Sequence, residues 1–540
     1  KIINRGERIS LLSAFLVFMV FFAIPSTTDA QYKYDYEWLF GYNAYPDGIN
    51  PYKRFAINLV SFHSNPPDTV RTPLHGSTGG SATVSIADSE GQVLFYSNGC
   101  RLFNADGSMV EGGEVLLSGP TFDNFCYIDE NLRYEFYPTW VQSRFILPMD
   151  ESDSLFFFLY TRQELTHNTE FDDPSGIVAF ELHLGKIVLT DNGYLMESSQ
   201  IVLNQVFSGG NMQAVRSEKD DHWWIIVPHP VHLNNYEVIH LGPKGVDTII
   251  THYADYSATP LKDKWIHVGG ATMCPMGEKF VWWVPTDTTG LLLFDFDRST
   301  GGLSNFHHLP HPERDNYVPS LSTGGGGAAI SPNGRFLYIN TRNNLYQYDL
   351  EAGDIAESKV HIAEYDGFRD PGNDFEVAFF MQQLAPDCRI YISATNTVRF
   401  LHVINHPNRK GKACDFQQHS FKLPGNHGIG LPYHPNYRLG TDYPVCDSTL
   451  TRTWFVPEEP EGQLHLYPNP ARGYAVVAWT EMSPVEIELY DMSGREVYSN
   501  RIQPGSPEYY LDLSGFNAGV YVVRLRDREG NVAVERLVVF

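Results

Sequence analysis

The chain has 540 residues, with 39 Lys and Arg against 64 Asp and Glu, a formal net charge of -25 at pH 7. That balance argues against a nucleic-acid partner, because phosphate backbones demand a basic surface, while it suits solubility and permits cation binding. Aromatics make up 14% of the residues, Gly and Pro number 45 and 34, and long helical periodicities are scarce, so the sequence reads as β-rich rather than helical.

The chain opens with Lys1, Arg5 and Arg8, followed by a nearly unbroken apolar run from Leu11 to Ile24 and then Thr28-Asp29-Ala30. This is the layout of a secretory signal peptide over residues 1–30, with cleavage after Ala30. The apolar run is about 14 residues, short of the roughly 20 that a membrane-spanning helix needs.

Residues 31–440 repeat a unit. Apolar, aromatic-rich strands are predicted at Val93–Tyr96, Leu155–Tyr160, Trp223–Val227, Phe280–Val284, Phe336–Ile339 and Ile390–Ile392, at intervals of about 54 to 68 residues. Three of them share a lead-in: Met273-Cys274-Pro275-Met276-Gly277-Glu278-Lys279, Ile330-Ser331-Pro332-Asn333-Gly334-Arg335, and Leu384-Ala385-Pro386-Asp387-Cys388-Arg389. Proline sets φ for a turn and Gly or Asn supplies the tight bend, after which a buried strand begins. A second strand often follows, as at Leu291–Phe296 and Leu345–Leu350. Strand, turn, strand and long loop in repetition is the pattern of four-stranded propeller blades. A strand near Trp38–Gly41 could complete a blade with the end of this region, giving about seven blades, with six or eight as alternatives. A pair of β-sandwiches would leave the repeated lead-in unexplained.

Six cysteines, Cys100, Cys126, Cys274, Cys388, Cys414 and Cys446, would meet an oxidising compartment. No CxxC pair is present, and spacing alone cannot choose among the fifteen full pairings. A disulfide is expected first among Cys388, Cys414 and Cys446, then between Cys100 and Cys126, with free buried thiols as the alternative.

Candidate chemistry is sparse. His229-Pro230-Val231-His232 and His307-His308-Leu309-Pro310-His311 could bring imidazoles together on one face, but neither has HExxH spacing, so packing roles are expected and no metal site is assigned. Gly324-Gly325-Gly326-Gly327 lacks the Lys-Ser/Thr of a phosphate loop and reads as a close-packed turn near the axis. Asp172-Asp173, Asp220-Asp221 and Asp349 could serve turns or calcium as readily as acid–base chemistry, so calcium stays a candidate and no other cofactor is expected. No GxSxG elbow appears, and no catalytic residue is assigned.

Residues 441–463 contain Val456-Pro457-Glu458-Glu459-Pro460-Glu461-Gly462, whose prolines and like charges suit an extended linker. Residues 464–540 then read as a small antiparallel β-sandwich: Gly473–Thr480, the alternating Val485–Tyr490, Glu496–Tyr498, Tyr510–Leu513, Gly519–Leu525 and Leu537–Phe540 are predicted strands separated by turn signals. Leu466-Tyr467-Pro468-Asn469-Pro470-Ala471 reads as an extended approach and a turn.

Four blocks carry a resemblance. Tyr467-Pro468-Asn469-Pro470, Leu489–Val497 around Gly494, Leu511-Asp512-Leu513-Ser514, and Ala518–Leu525 with Gly519 and Tyr521 stand in the order found in the C-terminal sorting domain of the type IX secretion system of Bacteroidetes. That resemblance implies export through the periplasm and across the outer membrane, recognition by type IX machinery, and removal of the domain. It also implies release or attachment to surface lipopolysaccharide. The rest of the chain, through Trp38–Gly41, Gly80–Ser85, Gly91–Gly99, Leu384–Asp387, Val403–Asn408 and Gly430–Tyr433, resembles exported Bacteroidetes proteins that pair a propeller-like region with such a domain. These motifs are turns and strands, and they bring no catalytic set. The expected function is therefore a secreted or surface-displayed protein that binds a glycan or protein ligand through loops. The alternative is a polysaccharide- or peptide-degrading enzyme with its site at the channel.

Overall fold

β-branched and aromatic runs form strands because their side chains pack well on pleated, half-buried surfaces. This computed structural model describes residues 32–539 except 44–54, 73, 75, 79–82, 127–134, 139, 171–176, 198, 258, 260, 262–268, 286–288, 314–325, 442–443, 445, 447–463, 473, 480–482, 492–493, 504–507, 514 and 529. The signal peptide with Ala30, the greater part of the linker, Gly324, Gly325 and Asp172-Asp173 lie outside the described residues.

Seven small antiparallel sheets follow one another along the chain. Sheet 1 runs from strand Glu37–Asn43 to Gly76–Ser77, sheet 2 from Val84–Ala87 to Leu102–Asn104, and sheet 3 from Arg144–Pro148 to Gln200–Phe207. Sheet 4 runs from Gln213–Arg216 to Gly245–Tyr253, sheet 5 from Gly270–Met273 to Gly302–Leu309, sheet 6 from Ala328–Ile330 to Val360–Glu364, and sheet 7 from Phe379–Leu384 to Phe416–Lys422. Sheet 2 has three strands, sheet 3 five, and the others four.

The sheets pack face to face in sequence. Leu39 and Ile57 of sheet 1 cluster with Tyr96 of sheet 2. One core then joins Phe95, Phe156 and Trp223 of sheets 2 to 4. Ile226 meets the cluster of Trp282, Trp283 packs in that of Leu337, and Tyr338 in that of Ile390, carrying the contact through sheets 5 to 7. Finally Trp38 and Phe62 of sheet 1 share a core with Tyr391 and Leu401 of sheet 7, the Trp38 and Tyr391 rings 5.7 Å apart. These are the seven blades of a β-propeller, the last packed on the first. The strand at Trp38–Gly41 does not complete a blade with the end of the region as expected. It pairs with Ile57–Ser61 and the short Gly76–Ser77 in a sheet of its own, so among the described residues the last blade meets the first by side-chain packing and an isolated Phe55–Asn426 bridge rather than by a shared strand.

The repeated lead-in is a single turn between the first two strands of a blade. Gly277 N–H donates to Cys274 O (2.7 Å), Gly334 N–H to Ser331 O (2.8 Å) and Cys388 N–H to Ala385 O (3.1 Å). The residue closing each turn is left-handed, with φ of 78°, 76° and 64°, so Cys388 takes the conformation that its two glycine counterparts adopt at no steric cost. Cys388 is bonded to Cys446, and Cys100 to Cys126. Cys414, which was grouped with Cys388 and Cys446, is instead a free thiol buried beside Tyr338, and Cys274 is also free and buried.

The C-terminal domain is a sandwich around an apolar core that includes Leu464, Val477, Leu489, Leu511, Leu525 and Leu537. It differs from the expected antiparallel pattern at one point, where Ala471 pairs in parallel with Val539. The predicted turn at Tyr467–Pro470 is also strand, part of Leu464–Arg472. Prolines cannot donate to a ladder, and here the Asn469 side chain supplies the missing pairing: its amide donates to Arg536 O (2.5 Å) and its Oδ1 accepts from Val538 N–H (2.8 Å). Gly494 closes a hairpin at φ 80° with its N–H on Asp491 O, Gly519 begins a strand, and Tyr521 donates its hydroxyl to Asn517 O (2.8 Å). Among the described residues no helix is long and apolar enough to cross a membrane.

Candidate functional site: the propeller axis and the cleft beside it

First strands of neighbouring blades crowd at the axis, and small residues let them do so. A Cβ on Gly327 would lie 2.4 Å from the backbone N of Gln382, and Ala271 and Ala328 follow glycines at equivalent places in blades 5 and 6. The remaining gap is lined by glutamines. Gln142 donates to Ala271 O (2.7 Å) and accepts from Ala271 N–H (2.9 Å), while Gln213 donates to the same carbonyl (3.2 Å). Gln382 donates to Asn340 Oδ1 (2.7 Å) and Gly327 O (3.2 Å).

After blade 7 the chain crosses this axis as a strap. The Tyr433 hydroxyl donates to Gln213 Oε1 (3.1 Å) and accepts from Ala214 N–H (3.0 Å), so its ring sits against blade 4. Asn436 donates to Pro275 O of blade 5 (2.9 Å), the Tyr437 hydroxyl to Ile146 O of blade 3 (3.2 Å), and Gln383 of blade 7 to His434 O (3.2 Å). Arg438 holds both oxygens of Asp35 at 2.7 Å and donates to Tyr32 O (3.1 Å), tying the strap to the first described residues. Both members of the pair are buried. Burial of His434, with its ring stacked on Trp38 at 6.1 Å, pushes its pKa down to about 4, so the imidazole is neutral at neutral pH.

Strap and first strands border a cavity of about 70 Å³. Its carboxylate is Asp35, already committed to Arg438. Beyond Leu439 lies a larger cleft of about 1210 Å³, walled by the turns of blades 3 and 4, by Arg298 of blade 5 and by Leu439–Thr441. Its lining mixes Asp150, Glu151, Glu218, Asp220 and Asp221 with Arg216, Lys219 and Arg298. Arg216 lies over the Trp223 ring at 4.3 Å, and Arg298 Nε donates to Arg216 O (2.9 Å), which fixes both guanidinium groups.

The two histidine groups do not converge. His229 is buried at the end of a blade 4 strand, 3.8 Å from Glu237. His311 packs under Trp283 at 5.0 Å with Nδ1 accepting from Glu313 N–H, and His308 bonds Thr289 O. Of the acids named from sequence, Asp349 is held by both nitrogens of Arg335 (3.0 and 2.8 Å), whose hydrogen bonds keep its pKa below the usual carboxylate range. Asp221 lines the cleft. Asp220 lies 3.4 Å from both His222 and His240, whose rings stack at 4.8 Å and share Asp247 on the other side. The glutamines, Asp35, His434 and Arg438 carried no signal of their own in the sequence. The one available clue was the small residue preceding each buried strand, at Gly270-Ala271 and Gly327-Ala328.

Residues 465–540 match the family described as the secretion system C-terminal sorting domain. The C-terminal domain is a type IX secretion sorting domain. The protein is thus exported, addressed by its sorting domain to type IX machinery and so to the cell surface or the medium, and its source is implied to be among the Bacteroidetes. No curated protein matches the chain. Solved structures similar to it include a protein from Lactobacillus plantarum (12% identity, TM-score 0.39, 74% of this chain and 99% of that one). Another is a functionally unknown protein from Desulfotomaculum acetoxidans (10%, 0.34, 73% and 99%). A putative 6-phosphogluconolactonase from Bacteroides fragilis is also similar (13%, 0.26, 63% and 98%). At such scores the likeness says nothing about activity, and the propeller is established by this chain's own sheets and their packing.

Proposed function

We propose that the propeller is a binding module, carried out of the cell by the sorting domain and presented at the surface or released. Its ligand, a glycan or a protein segment, seats in the cleft flanked by the turns of blades 3 and 4. The observation that carries this reading is the cleft itself: about 1210 Å³ of open space whose walls are short turns on rigid blades, with charges of both signs among its lining residues. Loops held by a rigid scaffold commonly carry binding, and mixed charge selects a ligand by orientation more than by net charge. A hydrolase at the channel would need a pair of carboxylates roughly 5 to 10 Å apart. Among the described residues that line the channel cavity, Asp35 is the carboxylate, and Arg438 holds it. After processing, attachment to surface lipopolysaccharide would display the cleft outward.

The purified full-length chain, applied to arrays of bacterial and dietary glycans and of extracellular-matrix peptides, should bind one class saturably. Glu218→Gln with Asp221→Asn, both exposed cleft residues, should weaken that binding about tenfold while shifting stability by roughly 0.5 kcal/mol or less. Retained binding in the double variant, or release of cleaved glycan or peptide products by the wild type, would remove this reading in favour of another face or of catalysis.

A further inference from the structure

The sorting domain is not polar on every outward face. Strands Pro484–Asp491, Gly519–Asp527 and Val532–Val539 lie side by side, and alternation turns Ile487, Leu489, Val523, Leu525, Ala533 and Leu537 into the core. The residues between them point the other way, where an antiparallel sheet with one solvated face ordinarily carries polar groups. Here Val520 stands opposite Val538, Val522 opposite Arg536, Val534 opposite Arg524 and Val532 opposite Arg526. Val532 and Val534 are 48% and 56% exposed, the other three valines are half-buried, and none of the five joins the domain's core. Five apolar neighbours on two paired strands form a patch, and exposed apolar patches mark interaction sites.

Three arginines are set among these valines, and they differ in what holds them. Arg524 donates to Glu488 and lies over the Tyr490 ring at 4.9 Å, while Arg526 is 3.6 Å from Glu488 and 3.9 Å from Glu486. Arg536 is exposed, with Val534 and Val538 on either side of it along the strand. Its backbone is engaged, the N–H donating to Glu535 (2.9 Å) and the carbonyl accepting from Asn469 (2.5 Å), but its guanidinium makes no ion pair among the described residues. A membrane surface would be met by several free cations together, and here two of the three are already neutralised. One free guanidinium framed by apolar side chains suits a protein instead. Arginine is enriched at protein interfaces, and its fork takes a carboxylate bidentately.

We infer that the valine face around Arg536 is the surface by which the export machinery grips this domain. The occupant is a protein of that machinery whose contact surface is apolar, with one carboxylate placed to meet Arg536. The domain addresses the chain to type IX machinery, and a protein that reads the folded domain meets its outward groups, never the leucines sealed in the sandwich. This face serves export alone and is independent of what the cleft binds.

The test is quantitative fractionation of cells and medium from a host that carries the machinery, using the full-length chain. Arg536→Glu should lower the exported amount about tenfold, and Val532→Thr with Val534→Thr should act in the same direction. Threonine keeps the β-branched shape that suits an exposed strand position, so the valine variant should melt close to wild type. Should Arg536→Glu fail to fold, Arg536→Gln is the second variant, with the same expectation. Tyr474→Thr with Tyr510→Thr, exposed positions on the other sheet of the sandwich, should export as wild type does. A photo-crosslinking residue at position 534 should join the chain to a protein of the machinery. Full export of the folded variants, equal loss in the tyrosine control, or cross-links solely to a second copy of the chain or to lipopolysaccharide would each overturn the assignment.

Discussion

The propeller and the sorting domain solve the problem of a core in opposite ways. In the sandwich two sheets close on each other, and Leu464, Val477, Leu489, Leu511, Leu525 and Leu537 fill the space. Seven blades arranged about an axis instead leave a gap that sheet packing cannot fill, and here glutamines, a neutral histidine and the Asp35–Arg438 pair occupy it. Apolar cores tolerate substitution by volume, whereas buried polar groups must be satisfied one by one. The difference teaches that the propeller's vulnerable points are its axis and strap, while the sorting domain's is simply its bulk.

The largest expected effect separates the two regions by task. Deleting residues 464–540 should abolish export and leave the propeller in the periplasm, as read by fractionation of cells and medium; surface signal from the truncated chain would break the division of labour.

Acid should come next, and should act on the propeller more than on the sorting domain. Burial pushes His402 down to about 3 and His427 and His434 to about 4, from an unfolded value near 6.5. Below about 6.5 the unfolded chain takes up protons that the folded one refuses. Their contribution is therefore complete above pH 6.5 and is lost as pH falls towards 4 and 3, by on the order of 3 kcal/mol for each imidazole. Denaturant midpoints measured from pH 7.5 to 4.5 should fall for the propeller transition while the sorting-domain transition moves less.

Arg438→Ala leaves Asp35 buried without its partner and should cost about 3 to 5 kcal/mol. Replacing both residues by apolar ones of similar volume should cost less than that, a contrast that equilibrium unfolding would show. Cys446→Ser opens a bridge that spans 58 residues, which in the chain-entropy account is worth about 4 kcal/mol, with about 2 to 5 as the usual range. Melting of the propeller with and without reductant extends the comparison, since reductant also opens Cys100–Cys126 and the reduced wild type should melt below the variant. The smallest effect lies in the sorting domain: Asn469→Ala removes the side-chain bonds to Arg536 and Val538, which a proline-bounded strand cannot replace, and should cost about 1 kcal/mol.

Much of the fold was legible because it is local. The Pro-containing lead-ins announced three of the blade turns, and the aromatic runs announced second strands, because a turn and the strand after it are decided within a few residues. The blade 2 turn at Asp88–Gln92 makes the same backbone bonds, with Gly91 closing on Asp88, but has no proline to announce it. Sheet 1 was misread for a related reason: two of its partner strands, Asp68–Arg71 and Gly76–Ser77, are short and carry little apolar signal. The disulfide expected among Cys388, Cys414 and Cys446 forms between Cys388 and Cys446, and closeness in sequence could not say which of the three stays out; Cys414 lies beside Tyr338.

By itself, the sequence determined the all-β class, the repeat of about seven blades and the address carried by the last 77 residues, since each is written in contiguous blocks that fold on their neighbours. Only the tertiary structure decided what stands at the axis. Gln142, Gln213, Gln382 and His434 come from four distant parts of the chain, and each looks unremarkable in its own segment. They line one polar cavity because ring packing and the strap bring them together, and the glutamines there bond backbone and side-chain groups of neighbouring blades.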